Sequence, residues 1–585
     1  MNVATPVARL DGWLQGLPAD LPLTALDKAL LRVLQERQPS SDARHFWLAA
    51  LASHQFGRGH ACLDLQALAE TPQRLLGWAP AALASLPPDV ADAAASMPWC
   101  AGGNSPLVLM QDECARRLYL RRAWRAEQAI TLSLSLRRLT PATAPADLEQ
   151  RLDALFPPDP IPERSAGQRQ ACAIAARSRL CLITGGPGTG KTTTVAKLLQ
   201  LLAGEAAGQG RALRIHLAAP TGKAASRLSQ SIGTELGTAA PRLQALIPTA
   251  ASTLHRLLGG TLPLATDLVV VDEASMIDLE MMARLLEAVP AGARLVLLGD
   301  QDQLASVEAG AVLAQLCERP DLQASHARLR YSHRFAGDSP IGQWAAALNS
   351  GDRRRVQALW RALPDWQPGM AQPLQALRWR RVAAQPLAAV VTEGWQDWLQ
   401  ALAPLREAGS ACDDATAGRL LDALARFQLL CALRSGPWGT EALNAQVRQA
   451  LGFGRDPWFV GRPVMVTHND YALKLMNGDV GLCLPRDGGL RVVFRDADRS
   501  LRWVPPSRLE NVETVFAMTV HKSQGSEFTR VLLVLPDRES PVLTRELLYT
   551  GLTRAREGVT WLVPEERELL RAVEARVMRS GGLAG

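Results

Sequence analysis

A glycine-rich segment at residues 185–192 constrains the fold of this chain more than any other feature. It reads GGPGTGKT, matches the spacing GxxxxGK[ST], and lies between the apolar run RLCLIT and the helical pattern TTTVAKLLQLLA. A loop of this kind presents backbone N–H groups to phosphate oxygens at the N-terminus of a helix. The segment therefore predicts a nucleotide-binding α/β domain. The alternative is a glycine-rich turn between a strand and a helix that binds no ligand.

The same loop assigns individual roles for ATP and Mg²⁺. Lys191 would bind the β and γ phosphates, and Thr192 would supply a hydroxyl ligand to Mg²⁺. Only six of the 64 basic residues of the chain are lysines, so a lysine at this position is informative. The predicted nucleotide-binding residues of the loop are Gly185, Gly186, Pro187, Gly188, Thr189, Gly190, Lys191, Thr192 and Thr193.

Polar residues follow two further apolar runs. Asp272 and Glu273 end the run DLVVVDE, where Asp272 would hold Mg²⁺ and Glu273 would orient or deprotonate the attacking water. Gln303 follows the run RLVLLGD, where an amide can sense the γ-phosphate and transmit its loss to other parts of the protein. The alternatives are a solvated strand end for the carboxylates and an ordinary polar loop for the glutamine.

The apolar runs also predict the domain organisation. Four of them alternate with helical patterns from residue 180 onward, and a second set begins near residue 426, which predicts two α/β domains with parallel sheets. A chain of 585 residues is too long for a single hydrophobic core. The first hundred or so residues show short helical patterns. Turn signals near Gly478 and Gly488 predict a small antiparallel barrel inserted in the second α/β domain.

Composition narrows the class of protein. No apolar run approaches the length of a membrane span, and the sequence does not open with a basic segment followed by an apolar one, so we expect a cytoplasmic protein without a membrane partner. The nine cysteines form no CxxC pair, which argues against a zinc or iron–sulfur site. The net charge of +7 permits a polyanionic partner without requiring one.

Eight segments stand in the order of the motifs of superfamily 1 DNA helicases. They read GGPGTGKTT, APTGKAASRLSQS, STLHRLLG, VVDEASMID, GDQDQLASVEAG, SHRF, TVHKSQGSEF and LLYTGLTRARE. Within that group the chain resembles the RecD family, the alpha subunits of exodeoxyribonuclease V, over nearly the whole chain from about residue 106, whereas the first hundred residues match only loosely. The resemblance implies two RecA-like P-loop motor domains at 106–345 and 346–585. It also implies a helical N-terminal partner-docking domain at 1–105 and a small SH3-like β-barrel insertion at about 455–512.

The resemblance also implies roles for residues outside the phosphate loop. Gln168 matches the glutamine that reads adenine in this family, and Arg334 and Arg554 match two arginines that reach the γ-phosphate from the second motor domain. The alternatives are an exposed helix residue for Gln168 and salt-bridged surface side chains for the arginines. The residues that match DNA-binding motifs, with helix capping or loop packing as the alternative for each, are Thr221, Lys223, Ser226, His255, Thr519 and His521.

The function that the resemblance implies is an ATP- and Mg²⁺-dependent DNA helicase that moves 5′ to 3′ on single-stranded DNA. It would act at the 5′ end of a duplex break, as the motor subunit of a heterotrimer with RecB-like and RecC-like subunits in double-strand break repair and recombination. The sequence shows no further cluster of acidic residues and lysine for a nuclease, so we expect that activity in a partner subunit. The alternatives are a free-standing RecD-like helicase and an ATP-binding scaffold subunit without motor activity.

The N-terminal region is where we expect partner docking. Trp13, Trp47 and Trp78 lie in a segment without catalytic motifs and have the pattern of exposed apolar side chains, which mark protein interfaces when they form a large patch. The alternative is a self-contained helical domain that buries these side chains internally.

Overall fold

Four β-sheets organise the chain in this computed structural model. The structure describes residues 6–112, 115–140, 142–237, 239–306, 308–335, 339–369, 372–378, 385–408, 410–496 and 499–584. One sheet of six strands and one of five are purely parallel, which confirms the predicted α/β class. The other two sheets are antiparallel. Among the described residues, no helix combines the length and the apolar character needed to cross a membrane.

The N-terminal unit is mainly helical. Its helices are Pro6–Gln15, Ala25–Arg37, Ala43–Gly57, Leu65–Glu70, Pro72–Leu76 and Pro80–Leu83, with 3-10 turns at Val90–Ser96 and Pro98–Cys100. A small sheet of Leu63–Asp64, Arg116–Leu120 and Leu107–Gln111 completes it. Leu107 and Leu118 are fully buried in the core of this unit. Because Arg116–Leu120 pairs with Leu63–Asp64 on one side and with Leu107–Gln111 on the other, residues up to 120 pack with this unit, beyond the boundary predicted at 105.

The tryptophans of this unit are core residues, and the expectation that they are exposed is wrong. Trp47 and Trp78 are only 4% and 6% exposed. Trp13 is half-buried, and its ring centroid lies 5.6 Å from that of Phe46 and 5.2 Å from that of Trp47. A unit of this size can form a stable core only if it buries most of its large apolar side chains, which explains their position.

We call the two units built on the parallel sheets the first and second motor units, after the motor domains that the resemblance implies, and the first is built on the six-stranded sheet. In spatial order its strands are Ala251–Thr253, Ile215–Ala219, Leu268–Val271, Arg294–Gly299, Leu180–Gly185 and His326–Leu329. The two strands that precede the phosphate loop and the carboxylate pair are buried at every residue, since helices cover both faces of the sheet. The helices of this unit are Arg121–Leu139, Leu148–Leu155, Glu163–Arg177, Lys191–Gly208, Gly222–Leu236, Pro241–Gln244, Leu254–Leu257, Leu279–Ala288 and Val312–Glu318, with 3-10 turns at Ala274–Met276 and Pro320–Ser325.

The second motor unit is built on the five-stranded parallel sheet. In spatial order its strands are Leu374–Arg378, Ala555–Val563, Phe528–Val534, Phe427–Cys431 and Ala517–Thr519. The helices of this unit are Pro340–Ser350, Arg353–Ala362, Gln385–Gly394, Gln396–Ala408, Asp414–Leu424, Thr440–Ala450, Arg545–Leu552 and Glu566–Glu574, with a 3-10 turn at His521–Ser523. Trp344 and Leu348 pack in its core. This unit therefore begins near residue 340, slightly before the boundary predicted at 346.

An antiparallel sheet of five strands interrupts the second motor unit. In spatial order its strands are Leu501–Val504, Gly489–Arg495, Val480–Arg486, Pro463–Val466 and Val512–Thr514, with a 3-10 turn at Pro506–Arg508. It has a core of its own that includes Val464, Cys483 and Phe494. The sheet occupies the region where the turn signals predict an antiparallel insertion.

Candidate active site

A cavity of about 570 Å³ lies where the strands of the first sheet end and the second motor unit begins. Every residue predicted to act in catalysis lines this cavity: Lys191, Asp272, Glu273, Gln303, Arg334 and Arg554. Residues 187–193 of the phosphate loop and Gln168 line it as well. Ligands of open α/β sheets bind at the carboxyl ends of the strands, and this cavity has that position.

The phosphate loop is closed on itself in the structure. The ammonium of Lys191 donates to the carbonyl oxygens of Gly185 at 2.7 Å and Gly186 at 3.0 Å. Gly188 has a φ of +75°, and a Cβ there would lie 2.3 Å from the Cβ of Arg334, so only glycine fits. Lys191 begins the helix that follows, which places its charge at the helix N-terminus where phosphates bind.

The carboxylate pair follows the central strand of the first sheet. Burial and the neighbouring Glu273 carboxylate raise the pKa of Asp272, and the charge of Lys191 opposes that rise. Glu273 has a φ of +51°, a backbone conformation that costs free energy in a residue with a side chain and that is typical of functional sites. Both carboxylates face the cavity that contains Lys191 and Thr192.

These residues fit a nucleotide with Mg²⁺. No group of three or more His, Cys, Asp or Glu side chains in the described part of the chain could hold a metal ion. Mg²⁺ in nucleotide sites needs only one or two protein ligands, because phosphates and water supply the others. The hydroxyl of Thr192 and the carboxylate of Asp272, together on one cavity wall, match that requirement.

Gln303 is held by a buried carboxylate. Its Nε2 donates to Asp300 Oδ2 at 2.9 Å, and the hydroxyl of Tyr549 donates to the same oxygen at 3.0 Å. Burial raises the pKa of Asp300. The Oε1 atom of Gln303 is buried without a hydrogen-bond partner in the structure. A buried polar atom without a partner is costly, and its position on the cavity wall suits a ligand or water that would bind there.

The two predicted γ-phosphate arginines reach the cavity from different places. Arg554 follows a helix of the second motor unit, is buried, and donates from Nε to the Thr550 carbonyl oxygen at 3.1 Å. Arg334 lies in the connection between the two units rather than in the second unit itself. Its Nη2 donates to both carboxylate oxygens of Glu527 at 2.9 Å, and its Nη1 is buried without a partner.

Glu527 joins arginines of both motor units. It pairs with Arg227 on helix Gly222–Leu236, with Arg334, and with Arg556. Burial alone would raise the pKa of Glu527, but the charges of Arg227 and Arg334 lower it to about 2. The carboxylate is therefore ionised at neutral pH and connects the first unit to the second at the edge of the cavity.

Gln168 is buried, which excludes the alternative interpretation of this residue as an exposed helix residue. It is 6% exposed, and its Nε2 donates to the Thr189 carbonyl oxygen at 3.4 Å and lies 3.3 Å from His333 Nε2. It also lines a second cavity of about 1040 Å³ beside the first. The amide of Gln168 therefore lies next to the phosphate loop, between the nucleotide cavity and this second cavity.

None of the residues predicted to bind DNA lines the nucleotide cavity. Thr221 accepts from the Ala224 N–H at 3.2 Å and caps helix Gly222–Leu236, and Thr519 accepts from the Lys522 N–H at 3.3 Å. His255 is exposed on its short helix, and Ser226 is half-buried. Lys223 is half-buried, and burial lowers its pKa to about 8. His521 is half-buried, and burial lowers its pKa as well.

Three residues in or next to the cleft are not among those predicted from the sequence. Arg227 and Glu527 lie inside the motifs SRLSQS and SQGSEF, and Asp300 lies inside GDQDQ. Glu527 is the only carboxylate in its motif, which is a signal that could have indicated an ion-pair partner. Nothing in the sequence shows that its partners come from segments 300 and 193 residues away.

Comparisons with known proteins identify the family of the chain. Family models match at residues 21–119 (RecBCD enzyme subunit RecD, N-terminal domain), 163–362 (AAA domain) and 514–562 (UvrD-like helicase C-terminal domain). The RecBCD enzyme subunit RecD of Mycolicibacterium smegmatis is 40% identical over 91% of this chain and 92% of its own length. The corresponding subunit of Haemophilus influenzae is 35% identical over 80% of this chain and 79% of its own length.

More distant matches were also found. The ATP-dependent RecD2 DNA helicase of Deinococcus radiodurans is 32% identical over 75% of this chain but only 54% of its own length. Among solved structures, Pif1 helicase from Bacteroides in complex with ADP-AlF3 and ssDNA is 16% identical over 67% of this chain and 91% of that chain, with a TM-score of 0.34. On the identity and coverage of its RecD relatives, the chain belongs to the RecD family of superfamily 1 DNA helicases.

Proposed function

We propose that the chain is the ATP-dependent 5′ to 3′ DNA helicase subunit of a cytoplasmic RecBCD-like helicase–nuclease. The observation that carries this proposal is the cavity of about 570 Å³ that gathers the predicted ATP-hydrolysing residues from both motor units. Two polar atoms on its wall, Gln303 Oε1 and Arg334 Nη1, are buried without a partner and would gain one from a bound triphosphate.

ATP binding would rearrange the phosphate loop. The ammonium of Lys191, which now donates to two carbonyl oxygens of the loop, would turn to the β and γ phosphates, and the loop N–H groups would bind the same oxygens. Mg²⁺, when bound, would be held by Thr192 and Asp272 and would neutralise phosphate charge. Glu273 would accept a proton from the attacking water or orient it.

The arginines would couple hydrolysis to movement of the second motor unit. Arg554 belongs to that unit, so its contact with a γ-phosphate would draw the unit toward the first, and loss of the phosphate would release it. Arg334 is held by Glu527 in this structure and would compensate phosphate charge with its free Nη1. Gln168 would read the adenine base.

DNA would bind on the surface formed by the loops with Thr221, Lys223, Ser226, His255, Thr519 and His521. Their hydroxyl, ammonium and imidazole groups suit contacts with phosphates and bases that do not depend on sequence. Lys223 also lies close to Asp479 of the antiparallel insertion, whose charge partly offsets the effect of burial on its pKa. We assign the insertion as the SH3-like barrel of the family, and this proximity would place it beside the DNA path.

Assembly with RecB-like and RecC-like subunits would use the N-terminal unit. Because its tryptophans are internal, other side chains must form the docking surface. Leu26 and Val33 are 71% and 48% exposed and lie seven residues apart on one helix, hence on one face. Replacing both by Glu should prevent co-purification with the partner subunits and leave DNA-dependent ATPase intact. Leu132→Glu, another exposed leucine, is the control; loss of assembly there instead would move the interface to helix Arg121–Leu139.

The test of the helicase proposal is strand displacement from duplexes that carry a single-stranded tail at one end. With ATP and Mg²⁺, the protein should displace a strand from a 5′-tailed duplex and not from a 3′-tailed one. Glu273→Gln should bind the same substrates and displace neither. Equal activity on both tails would contradict the polarity, and activity in Glu273→Gln would contradict the site.

A further inference from the structure

We propose that Arg579 is a positioning residue for ATP hydrolysis, which holds the loop after strand Arg294–Gly299, described at residues 300–306 and 308–310, and connects it to the N-terminal unit. This loop contains Gln303, so the inference rests on the proposed role of Gln303 at the γ-phosphate. Arg579 belongs to residues 575–584, which we name the return segment. No described atom of Arg579 lines the nucleotide cavity, so it would act through the loop rather than on ATP.

The return segment crosses from the second motor unit to the rest of the molecule. It begins after helix Glu566–Glu574, where the Ala575 carbonyl oxygen accepts from the Arg545 N–H at 3.0 Å. Near its end, Leu583 is fully buried in the core of the first motor unit. In between, the Ala61 N–H donates to the Ser580 carbonyl oxygen at 2.8 Å, which attaches the segment to the N-terminal unit. Ten residues therefore touch all three units.

Arg579 is bonded to carbonyl oxygens of two units at once. Its Nη1 donates to the Arg58 carbonyl oxygen at 3.0 Å, and its Nη2 donates to the Ser306 carbonyl oxygen at 3.1 Å. Nη1 also lies 3.4 Å from the Glu308 carbonyl oxygen. The planar guanidinium suits this task, because it presents several N–H groups in fixed directions. Beside it, the Gly310 N–H donates to the Gly59 carbonyl oxygen at 2.8 Å, so the loop is fixed to the N-terminal unit twice.

The other part of the loop is bonded to the second motor unit. The Leu304 N–H donates to Thr550 Oγ1 at 3.0 Å, and the Leu304 carbonyl oxygen accepts from Gln524 Nε2 at 2.9 Å. Gln303 stands immediately before this attachment. When the second unit moves, it would pull on Leu304 while Arg579 keeps Ser306 with the N-terminal unit. The position of Gln303 would then depend on both attachments.

Arg579 also lies near a predicted DNA-binding residue. After burial, the charge of Arg579 is the next largest influence that lowers the pKa of His521. His521 lies two residues after the end of strand Ala517–Thr519 of the second sheet, in the motif TVHKSQGSEF. The guanidinium thus stands where the loop with Gln303, a DNA-motif loop and the N-terminal unit meet.

Gly59 gives an independent way to remove Arg579 from its place. It has a φ of +90°, and a Cβ there would lie 0.9 Å from Arg579 Nη1, so Gly59→Ala must displace the guanidinium. Gly102 has nearly the same φ, +92°, in the same unit, and nothing lies within 4 Å of its Cβ position. Gly102→Ala therefore introduces the same backbone strain without the clash. Met578→Ala removes a side chain that is 44% exposed from the same segment and is a second control.

The experiment measures DNA-stimulated ATP turnover in the full chain, with kcat and KM for ATP determined separately. We expect Arg579→Ala to lower kcat about tenfold, since small displacements of a catalytic group have large effects on rate, and to leave KM for ATP within twofold. Gly59→Ala should lower kcat as much, and the double variant should lower it no further. Arg579→Lys should restore part of the loss. Both control variants should retain wild-type kcat.

Two outcomes would overturn the inference. One is a kcat of Arg579→Ala within twofold of the wild type. The other is an equal loss in Gly59→Ala and Gly102→Ala, which would mean that backbone strain alone is responsible. Gln303→Ala separates this inference from the proposed function: if that variant loses turnover while Arg579→Ala does not, only the role of Arg579 is wrong. If Gln303→Ala retains full turnover, the role of Gln303 is wrong.

Discussion

The nucleotide cleft and the DNA surface are both predicted from short sequence motifs, yet the predicted residues are arranged differently in the structure. In the cleft, all of the predicted catalytic side chains face one cavity. On the DNA surface, Thr221 caps a helix, His255 is exposed, and His521 is half-buried near Arg579. Phosphate transfer needs several groups around one small volume, whereas contact with a DNA backbone needs groups spread along a path. The predicted catalytic residues are therefore gathered around one cavity, whereas the predicted DNA-binding residues are not.

The nucleotide cleft and the DNA surface also differ in how their charged side chains are paired. The cleft contains buried charges that compensate one another, such as Glu527 with Arg227 and Arg334. The lysine of the DNA surface, Lys223, has lost part of its preference for the charged form through burial. Substitutions in the cleft should therefore have large effects on rate and stability, and those on the DNA surface should have small, salt-dependent ones.

The largest expected effect is that of Arg554→Ala. It should slow hydrolysis by about a thousandfold, the scale of arginine-finger losses, with little change in nucleotide affinity. Arg556→Ala, which removes an exposed arginine two residues later, is the control and should change kcat less than about threefold. Steady-state ATPase with single-stranded DNA measures both. A fall in nucleotide affinity with unchanged kcat would assign Arg554 to ground-state binding instead.

An intermediate effect is expected for Glu527→Gln, as a loss of stability at neutral pH. The pKa of Glu527 is about 2 in the folded chain against 4.5 for an ordinary glutamate, so ionisation stabilises the fold by about 3 kcal/mol at neutral pH. This contribution is complete above pH 4.5 and is lost as the pH falls toward 2. Urea unfolding should show a large difference from the wild type at pH 7 that shrinks below pH 4.5.

Glu513→Gln is the control for this stability measurement. Glu513 pairs with Lys522, and both side chains are more than a third exposed. Solvent screens such a pair, so we expect a change of less than about 1 kcal/mol. Equal destabilisation by both substitutions would show that the buried carboxylate of Glu527 stabilises the fold no more than the exposed carboxylate of Glu513 does.

The smallest expected effect concerns Lys223 on the DNA surface. Lys223→Ala should reduce the dependence of log affinity for single-stranded DNA on log salt by about 0.7, the value for one phosphate contact. Because the pKa of Lys223 is about 8, its charge is lost as the pH rises, so wild-type affinity should fall between pH 7 and 9 more than that of Lys223→Arg. Lys28→Ala, in helix Ala25–Arg37 of the N-terminal unit, should change neither the salt dependence nor the pH dependence of the affinity. An unaltered salt dependence in Lys223→Ala would remove this residue from the DNA path.

Much of the fold can be predicted from the sequence because its parallel strands are buried. Runs such as LVVV at residues 268–271 are apolar at every position, which only a strand covered on both faces requires. The run PLVLM also predicts the apolar strand that the structure has at Leu107–Gln111. The edge strand Leu374–Arg378 and the strands Leu63–Asp64 and Arg116–Leu120 contain polar or charged residues, so they lack that pattern and the sequence does not predict them. Trp47 and Trp78 illustrate the same limit, since an apolar helix pattern does not reveal which side meets the core.

Part of the candidate site could be predicted from the sequence, and part could not. Lys191 and Asp272 could be predicted because the chemistry of phosphate and Mg²⁺ fixes both residue type and spacing. The pairing of Glu527 with Arg227 and Arg334 could not, because it depends on how two motor units face each other. The contacts of Arg579 with the loop at Ser306 depend on the path of a segment that begins in the other unit. Sequence motifs record local chemistry, and these contacts are long-range.

ATP hydrolysis with and without single-stranded DNA, in the wild type and in Lys191→Ala, tests the central claim most directly. The account predicts turnover that single-stranded DNA increases in the wild type. It also predicts that Lys191→Ala shows no DNA-stimulated turnover, because the charge that binds the β and γ phosphates is gone. A Lys191→Ala protein that hydrolyses ATP at near wild-type rate in the presence of DNA would contradict the assignment of this cleft as the motor site.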